Sequence, residues 1–290
     1  MTSIGSMRYA KGHGTGNDFI ILPDVEDRLD LHADLVRRLC DRHTGLGADG
    51  VLRVVRTGAP GHGEPGIAAW FMDYRNADGS IAEMCGNGIR VFARYLIDSG
   101  LAAGPQIAIA TRAGIRLVWQ VDRDTFSVDM GPARAEGTSS ALIGGRWCAG
   151  LAVSVGNPHL ACVVDQPLAG FDLTVPPEVD ASIFPAGANV EVLALTGGDE
   201  VEMRVHERGS GETLSCGTGA VAAAVAAAVA TGRWPGDGTG TWRVRVPGGL
   251  LQVAPSPTAS LLTGPAVLVA EGEINADWLT EQMAAAPASA

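Results

Sequence analysis

The segment "MCGNGIR" around Cys85 returns 131 positions later as "SCGTGA" around Cys216, and the stretches flanking each copy return with it. "GHGTGNDFIIL" precedes the first cysteine and "VSVGNPHLACVV" the second; each is a Gly-Asn turn feeding an apolar run of strand character. After each cysteine come a helical stretch and then strands, "GIRLVWQV" and "TFSVDMGPARAEG" in one half, "WRVRVPGGLLQV" and "LLTGPAVLVAEGEI" in the other. Gly-Pro pairs at 131/132 and 264/265 follow at similar distances. A chain doubled in this way is expected to fold as two copies of one unit. The expected units are residues 1–131 and 132–263, joined near 131–145, with a strand near 264–276 returning to the first unit and residues 277–290 left as a tail.

The expected fold class is α+β (mixed α/β), with two pseudo-symmetric domains. From Gly86 to Ile97, Ile89, Phe92 and Leu96 mark one face of a helix, with Val91 and Tyr95 beside them and Gly100 as a stop. The second helix, from Gly217 to a stop at Gly232, is apolar almost all round. A helix without a polar face has to be buried, so each unit should wrap a mixed sheet around its central helix. Val51–Val55, Val190–Leu195 and Val201–His206 supply strands.

At 290 residues with 46% hydrophobic content, two ordinary cores can be built. A net charge of -11 argues against nucleic acid or anionic lipid as partner, and a small molecule is the expected ligand. A homodimer is left open. The opening "MTSIGSMRYA" has neither the charge nor the apolar length of a secretory signal, and Met7 could be the initiator, so a cytoplasmic location is expected. The longest apolar run, Ala220 to Ala230, is too short to span a bilayer. Five cysteines with no C-x-x-C pair offer no zinc site, so no metal is expected. Cys40, Cys148 and Cys162 are expected to be small buried hydrophobes.

Cys85 and Cys216 differ from these because both stand at a helix start. There the backbone N–H groups and the helix dipole favour an anion, which predicts lowered thiol pKa values and a carboxylate docked on the glycine-flanked amides. Two such thiols, one per unit and presented across a cleft, would suit inversion at an acidic carbon, one thiolate taking the proton and one thiol returning another. Pyridoxal phosphate is set aside because the chain has a single lysine, Lys11, without a phosphate-binding motif. Asn17, Asn76, Asn87, Asn157 and Asn189 lie in short loops rich in Gly, Pro or Asp, where turn chemistry and a polar pocket compete as explanations. Arg208 offers a bidentate clamp for a second carboxylate, with Glu207 beside it for an amino group, although such a pair is also common on plain surfaces.

Taken in order, "GHGTGNDF", "GLGADG", "YRNADGS", "MCGNGIR", "VSVGNPH", "GANVEV", "ERGSGET" and "SCGTGA" closely resemble the diaminopimelate epimerase family over essentially the whole chain. The resemblance implies that family's two-domain fold. It also implies cofactor-independent epimerisation of LL-2,6-diaminoheptanedioate to the meso form, for lysine and cell-wall synthesis. It makes Cys85 and Cys216 the acid/base pair, and Gly86, Asn87, Gly217 and Thr218 the cradle of the reacting carboxylate. It places Asn17, Asn76, Asn157, Asn189, Glu207 and Arg208 around the amino groups and distal carboxylate, and His159 in support of catalysis. Family members often carry glutamine where Gly50 stands, so a water or main-chain group would have to substitute for that contact.

Two other readings share the paired cysteines. A proline or hydroxyproline epimerase would not need the Arg208 clamp, and a dithiol redox protein would cycle through a disulfide where an epimerase needs both sulfurs reduced. A thiol peptidase is weaker, since no histidine is paired with either cysteine in the sequence.

Overall fold

A computed structural model describes residues 6–236 and 240–284. The chain divides into two compact units, one comprising Met1–Gly14, Asp18–Phe126 and Ala266–Ala290, the other Thr15–Asn17 and Ser127–Pro265. The chain passes from the first unit to the second within β7 (Thr125–Gly131). The short turn at Thr15–Asn17 groups with the second unit, which no feature of the sequence announces.

In the first unit, β1 (Met7–Gly14) pairs antiparallel with β18 (Val267–Ile274). Then β2 (Asn17–Pro23) runs parallel to β3 (Gly50–Arg56), β3 antiparallel to β4 (Trp70–Asn76), β4 parallel to β5 (Gln106–Thr111), and β5 antiparallel to β6 (Gly114–Gln120). Helix α2 (Gly86–Asp98) joins β4 to β5 and packs against β1, β3, β6 and β18. Ile89, Val91, Phe92, Ala93 and Leu96 are all buried, so the helix is enclosed rather than laid on a surface.

Helix α1 (Ala33–Cys40) turns Leu35, Val36, Leu39 and Cys40 into a separate core with Ile20, Leu22 and Val51. Helix α4 (Ala276–Ala284) completes that core with Leu279, and its first N–H groups, those of Asp277 and Trp278, donate to the Asn275 side chain. The segment expected as a bare tail from 277 therefore begins as a capped helix with a buried anchor. Residues 285–290 lie outside the described part.

The second unit repeats the pattern strand for strand. β8 (Arg134–Ile143) and β9 (Arg146–Ser154) are antiparallel, as β18 and β1 are, and β9 continues antiparallel to β10 (Pro158–Val163). Next come β10 parallel to β12 (Asn189–Gly197), β12 antiparallel to β13 (Glu200–Glu207), β13 parallel to β15 (Trp242–Val246), and β15 antiparallel to β16 (Gly249–Ala254). β17 (Ser260–Pro265) extends the sheet beyond β16, while the short β11 (Glu178–Val179) and β14 (Gly211–Thr213) pair with β8 and β13.

Helix α3 (Gly217–Ala230) contacts β9, β10, β12, β13, β15, β16 and β17. With strands on nearly every side, it is built from alanine and valine, because larger side chains would overpack the close approach. The expected mixed sheet wrapped around a central helix is thus found in both units. Among the described residues no helix is long and apolar enough to cross a membrane.

Candidate active site

Both paired cysteines are helix N-caps. Cys85 has extended backbone angles and its Sγ accepts the Gly88 N–H at 3.4 Å; Cys216 does the same toward Gly219 N–H, also at 3.4 Å. The cysteine takes the place of the serine or aspartate more usual there, so its sulfur is held by the first turn of the helix. The next amides, at Gly86 and Asn87 or at Gly217 and Thr218, occupy helix positions whose N–H groups the helix itself does not use. A Cβ at Gly88 would lie 3.3 Å from both Leu52 Cδ2 and Phe19 Cζ, and one at Gly219 would lie 3.2 Å from Cys216 Cβ and 3.4 Å from its Sγ.

The charges around the two sulfurs differ. In the first unit Arg90, fully buried one turn into α2, donates to Gly86 O at 2.9 Å and to Asn87 Oδ1 at 3.0 Å. Burial pushes its guanidinium down to about 10, against the attraction of Cys85. Asn76, at the end of β4, donates its amide to Ser80 Oγ at 3.0 Å, so one side of it is spent within its own turn.

In the second unit burial pushes the Cys216 thiol well above its usual range, and the neighbouring carboxylates of Glu207 and Glu191 push it further. The hydrogen bonds from Thr218 and Gly219 act in the opposite direction but do not prevail. The lowered pKa expected from the helix start is therefore corrected for Cys216: desolvation of a nearly enclosed sulfur outweighs two donors. Burial also raises Glu207, although hydrogen bonds from Thr213 and Cys216 favour its charged form. Thr213 Oγ1 donates to Glu207 Oε1 at 2.6 Å.

His159 is fully buried on β10. Its Nδ1 lies 2.7 Å from Glu191 Oε1 and its Nε2 3.0 Å from Asn157 Oδ1. Asn157 Nδ2 reaches Thr218 Oγ1 at 3.4 Å, and Thr218 Oγ1 lies 3.5 Å from Cys216 Sγ. Asn189 bridges two backbone segments, donating to Pro158 O at 3.1 Å and accepting the Arg208 N–H at 3.0 Å. Arg208 itself is exposed, with one guanidinium donor on Ala186 O. Asn17 sits in the Thr15–Asn17 turn, anchored where Thr15 Oγ1 meets Ser215 Oγ at 2.7 Å, next to Cys216.

The second unit thus holds Asn17, Asn157, His159, Asn189, Glu207, Arg208, Cys216, Gly217 and Thr218, with Asn157, His159, Glu207 and Thr218 linked to Cys216 by hydrogen bonds, while the first holds Cys85, Gly86, Asn87 and Asn76. Sequence reasoning missed Arg90, Thr213 and Glu191. For Arg90 and Glu191 the signal was a charge inside an otherwise apolar helix face or strand. Among the described residues no cluster of His, Cys, Asp and Glu has the arrangement of a metal site.

Gly50 begins β3, and a Cβ there would stand 2.6 Å from Arg75 O and 2.8 Å from Tyr74 Cε2. Tyr74 fills the space, edge-on to Phe19 with ring centroids 5.9 Å apart. Gly50→Gln should therefore destabilise the protein by roughly 1–3 kcal/mol through overpacking and leave turnover no higher. A thermal melt together with an activity assay checks this; a gain in either would show that the tyrosine yields.

The profile of the family described as diaminopimelate epimerase matches residues 9–136 and 151–269. A diaminopimelate epimerase of Thermobifida fusca is 55% identical, over 92% of this chain and 98% of its own. That of Mycolicibacterium smegmatis is 51% identical, over 94% and 98%. Among solved structures, a hydroxyproline epimerase from Agrobacterium vitis superposes with a TM-score of 0.69 at 14% identity, covering 93% of this chain and 92% of its own. A phenazine biosynthesis protein of Bacillus anthracis gives 0.68 at 15%, covering 94% and 100%. These two share the fold. With most of its length matched by the family profile and half or more of its residues identical to these relatives, the chain belongs to the diaminopimelate epimerase family.

Proposed function

We propose that this protein interconverts LL- and meso-2,6-diaminoheptanedioate by moving one α-proton between the Cys85 and Cys216 sulfurs, with no cofactor. The observation that carries the reading is the matched pair of N-capping cysteines, one on the central helix of each duplicated unit, in a chain of this family. Inversion needs a base for one face of the carbon and an acid for the other, and two like groups that exchange roles serve both directions.

Cys216, enclosed and flanked by Glu207 and Glu191, rests as the thiol and is the acid of the first turnover. Cys85, beside the buried Arg90 guanidinium, is the base. The reacting carboxylate docks on the first-turn amides of the two helices, at Gly86, Asn87, Gly217 and Thr218. Those dipoles favour the charge that builds on the carboxylate as the α-proton leaves.

Glu207 receives the substrate amino group, and His159 supports the Cys216 side through Asn157. Arg208 binds the distal carboxylate; Asn189 holds the Arg208 main chain in place, and Asn17 and Asn76 complete the polar lining.

The purified protein, reduced and with neither pyridoxal phosphate nor metal added, should exchange the α-proton of LL- and meso-diaminopimelate for solvent deuterium. Lysine lacks the distal carboxylate that would pair with Arg208 and should react more slowly. Arg208→Met should weaken diaminopimelate use and spare the reactivity of both thiols. Faster exchange on proline than on diaminopimelate would move the assignment to the imino-acid epimerases that share the fold.

A further inference from the structure

The two units place different chemistry at the same register positions. Phe19 pairs with Gly50 and Ile21 with Leu52 in the first; His159 pairs with Asn189 and Ala161 with Glu191 in the second. Phe19 and Leu52 pack apolar atoms against the first turn of α2, each 3.3 Å from where a Gly88 Cβ would be. Glu191 approaches α3 in the same way, its Oε1 2.6 Å from where a Gly219 Cβ would be. An apolar pair in one unit has become a carboxyl-imidazole pair in the other.

Both members are fully buried, and Glu191 Oε2 has no hydrogen-bond partner. Leaving a carboxyl oxygen unpaired in the interior is costly, so the residue is hard to explain as packing. The 2.7 Å contact between Glu191 Oε1 and His159 Nδ1 must contain one proton, and Nε2 must carry another to donate to Asn157 Oδ1. With its oxygen turned to His159, Asn157 presents its NH2 to Thr218 Oγ1. The Thr218 hydroxyl then accepts from Asn157 and is left to donate to Cys216 Sγ.

We propose that Glu191 is a positioning residue for Cys216: by sharing a proton with His159 Nδ1 it sets the direction of every hydrogen bond along His159, Asn157 and Thr218, so that the chain ends in a donor aimed at the sulfur. When the Cys216 S–H bond breaks and its proton passes to the substrate carbon, the electron pair stays on sulfur. Two donors, the Thr218 hydroxyl and the Gly219 N–H, already face it. Reversing the chain would turn the Thr218 oxygen lone pairs toward the thiolate instead.

The kinetic side of this inference rests on the epimerase reading; the spectroscopic side does not. In two-bond proton-nitrogen spectra of the wild-type protein, assigned with His159→Gln, His159 should carry a proton on Nε2. An unprotonated Nε2 would overturn the proposal with no substitution needed in the tested protein, and whether or not the chain proves to be an epimerase.

In Glu191→Leu the Nε2–H signature should be lost or mixed. There kcat should fall roughly 10- to 100-fold, the range for losing a hydrogen bond to a charged group, with KM within about threefold. Thr218→Val alone should cost on the order of tenfold, but less than about threefold when Glu191 is already leucine. Multiplying effects would show that the two residues act separately and would overturn the chain. Should Glu191→Leu fold poorly, Gly219→Ala, which displaces the Glu191 carboxyl, should give the same spectral change; an unaltered His159 spectrum would count against the proposal.

Discussion

Cys85→Ala and Cys216→Ala are each expected to lower epimerisation of diaminopimelate by at least about 1,000-fold, because in the proposed mechanism each removes the proton carrier for one face of the carbon. Cys40→Ala, Cys148→Ala and Cys162→Ala should stay within about threefold in turnover and change mainly the melting temperature. The contrast comes from setting: burial pushes the Cys40 thiol up to about 12 and raises Cys148 and Cys162 as well, and none of these three caps a helix. Steady-state kinetics on the five variants decide the point. Substantial turnover by either Cys85→Ala or Cys216→Ala would end the two-thiol mechanism, whatever the other variants do.

Arg53→Met is expected to have the largest effect on stability. Arg53 is buried on β3 and donates to Asp24, Asp27 and Asp73 and to Leu29 O, with His62 Nε2 3.0 Å from its Nη2. Removing it leaves the Asp24 carboxylate in the interior without its cation, while Asp73 keeps Arg75 and Arg112, a loss of roughly 3–5 kcal/mol. That is a large part of the whole stability of an ordinary domain, about 5–15 kcal/mol. Calorimetry at neutral pH should show a melting temperature lower by roughly 6–20 °C; a change under about 2 °C would mean the carboxylates find other partners.

The same cluster sets an acid limit. Burial alone would raise Asp73, but hydrogen bonds from Arg75 and Arg112 hold it down to about 2. A carboxyl depressed in the folded state stabilises fully above its unfolded pKa of about 4. That contribution fades as the pH falls from there toward about 2.

Arg53 and Glu191 show how far the sequence could be read. Each stands in a strand that is otherwise apolar, "VLRVV" and "NVEVL", and a charge in such a run has to be paired inside the fold. The partners could not be named, because Asp73 and His159 come from other strands and only register brings them close. The doubling, the central helices and the N-capping cysteines were legible because each depends on residues adjacent in sequence. The state of Cys216 was not: the helix start is a local signal, whereas the carboxylates and the burial that override it are brought by β12 and β13. The helix at Ala276–Ala284 is announced locally by "INADWL", where Asn275 stands as its cap.

The pairing of β1 with β18 orders events on the ribosome. Everything in the second unit, including the Thr15–Asn17 turn, has been synthesised by Pro265. From that point the unit has every strand that surrounds α3. The first unit, although it begins earlier, must wait for Val267–Ile274 before β1 gains its antiparallel neighbour, and for Leu279 before its α1 core is filled. Until then β1 is an open edge, the kind of surface on which nascent chains pair wrongly. A duplicated protein whose halves look alike when folded is thus asymmetric during its synthesis: the half that starts first finishes last.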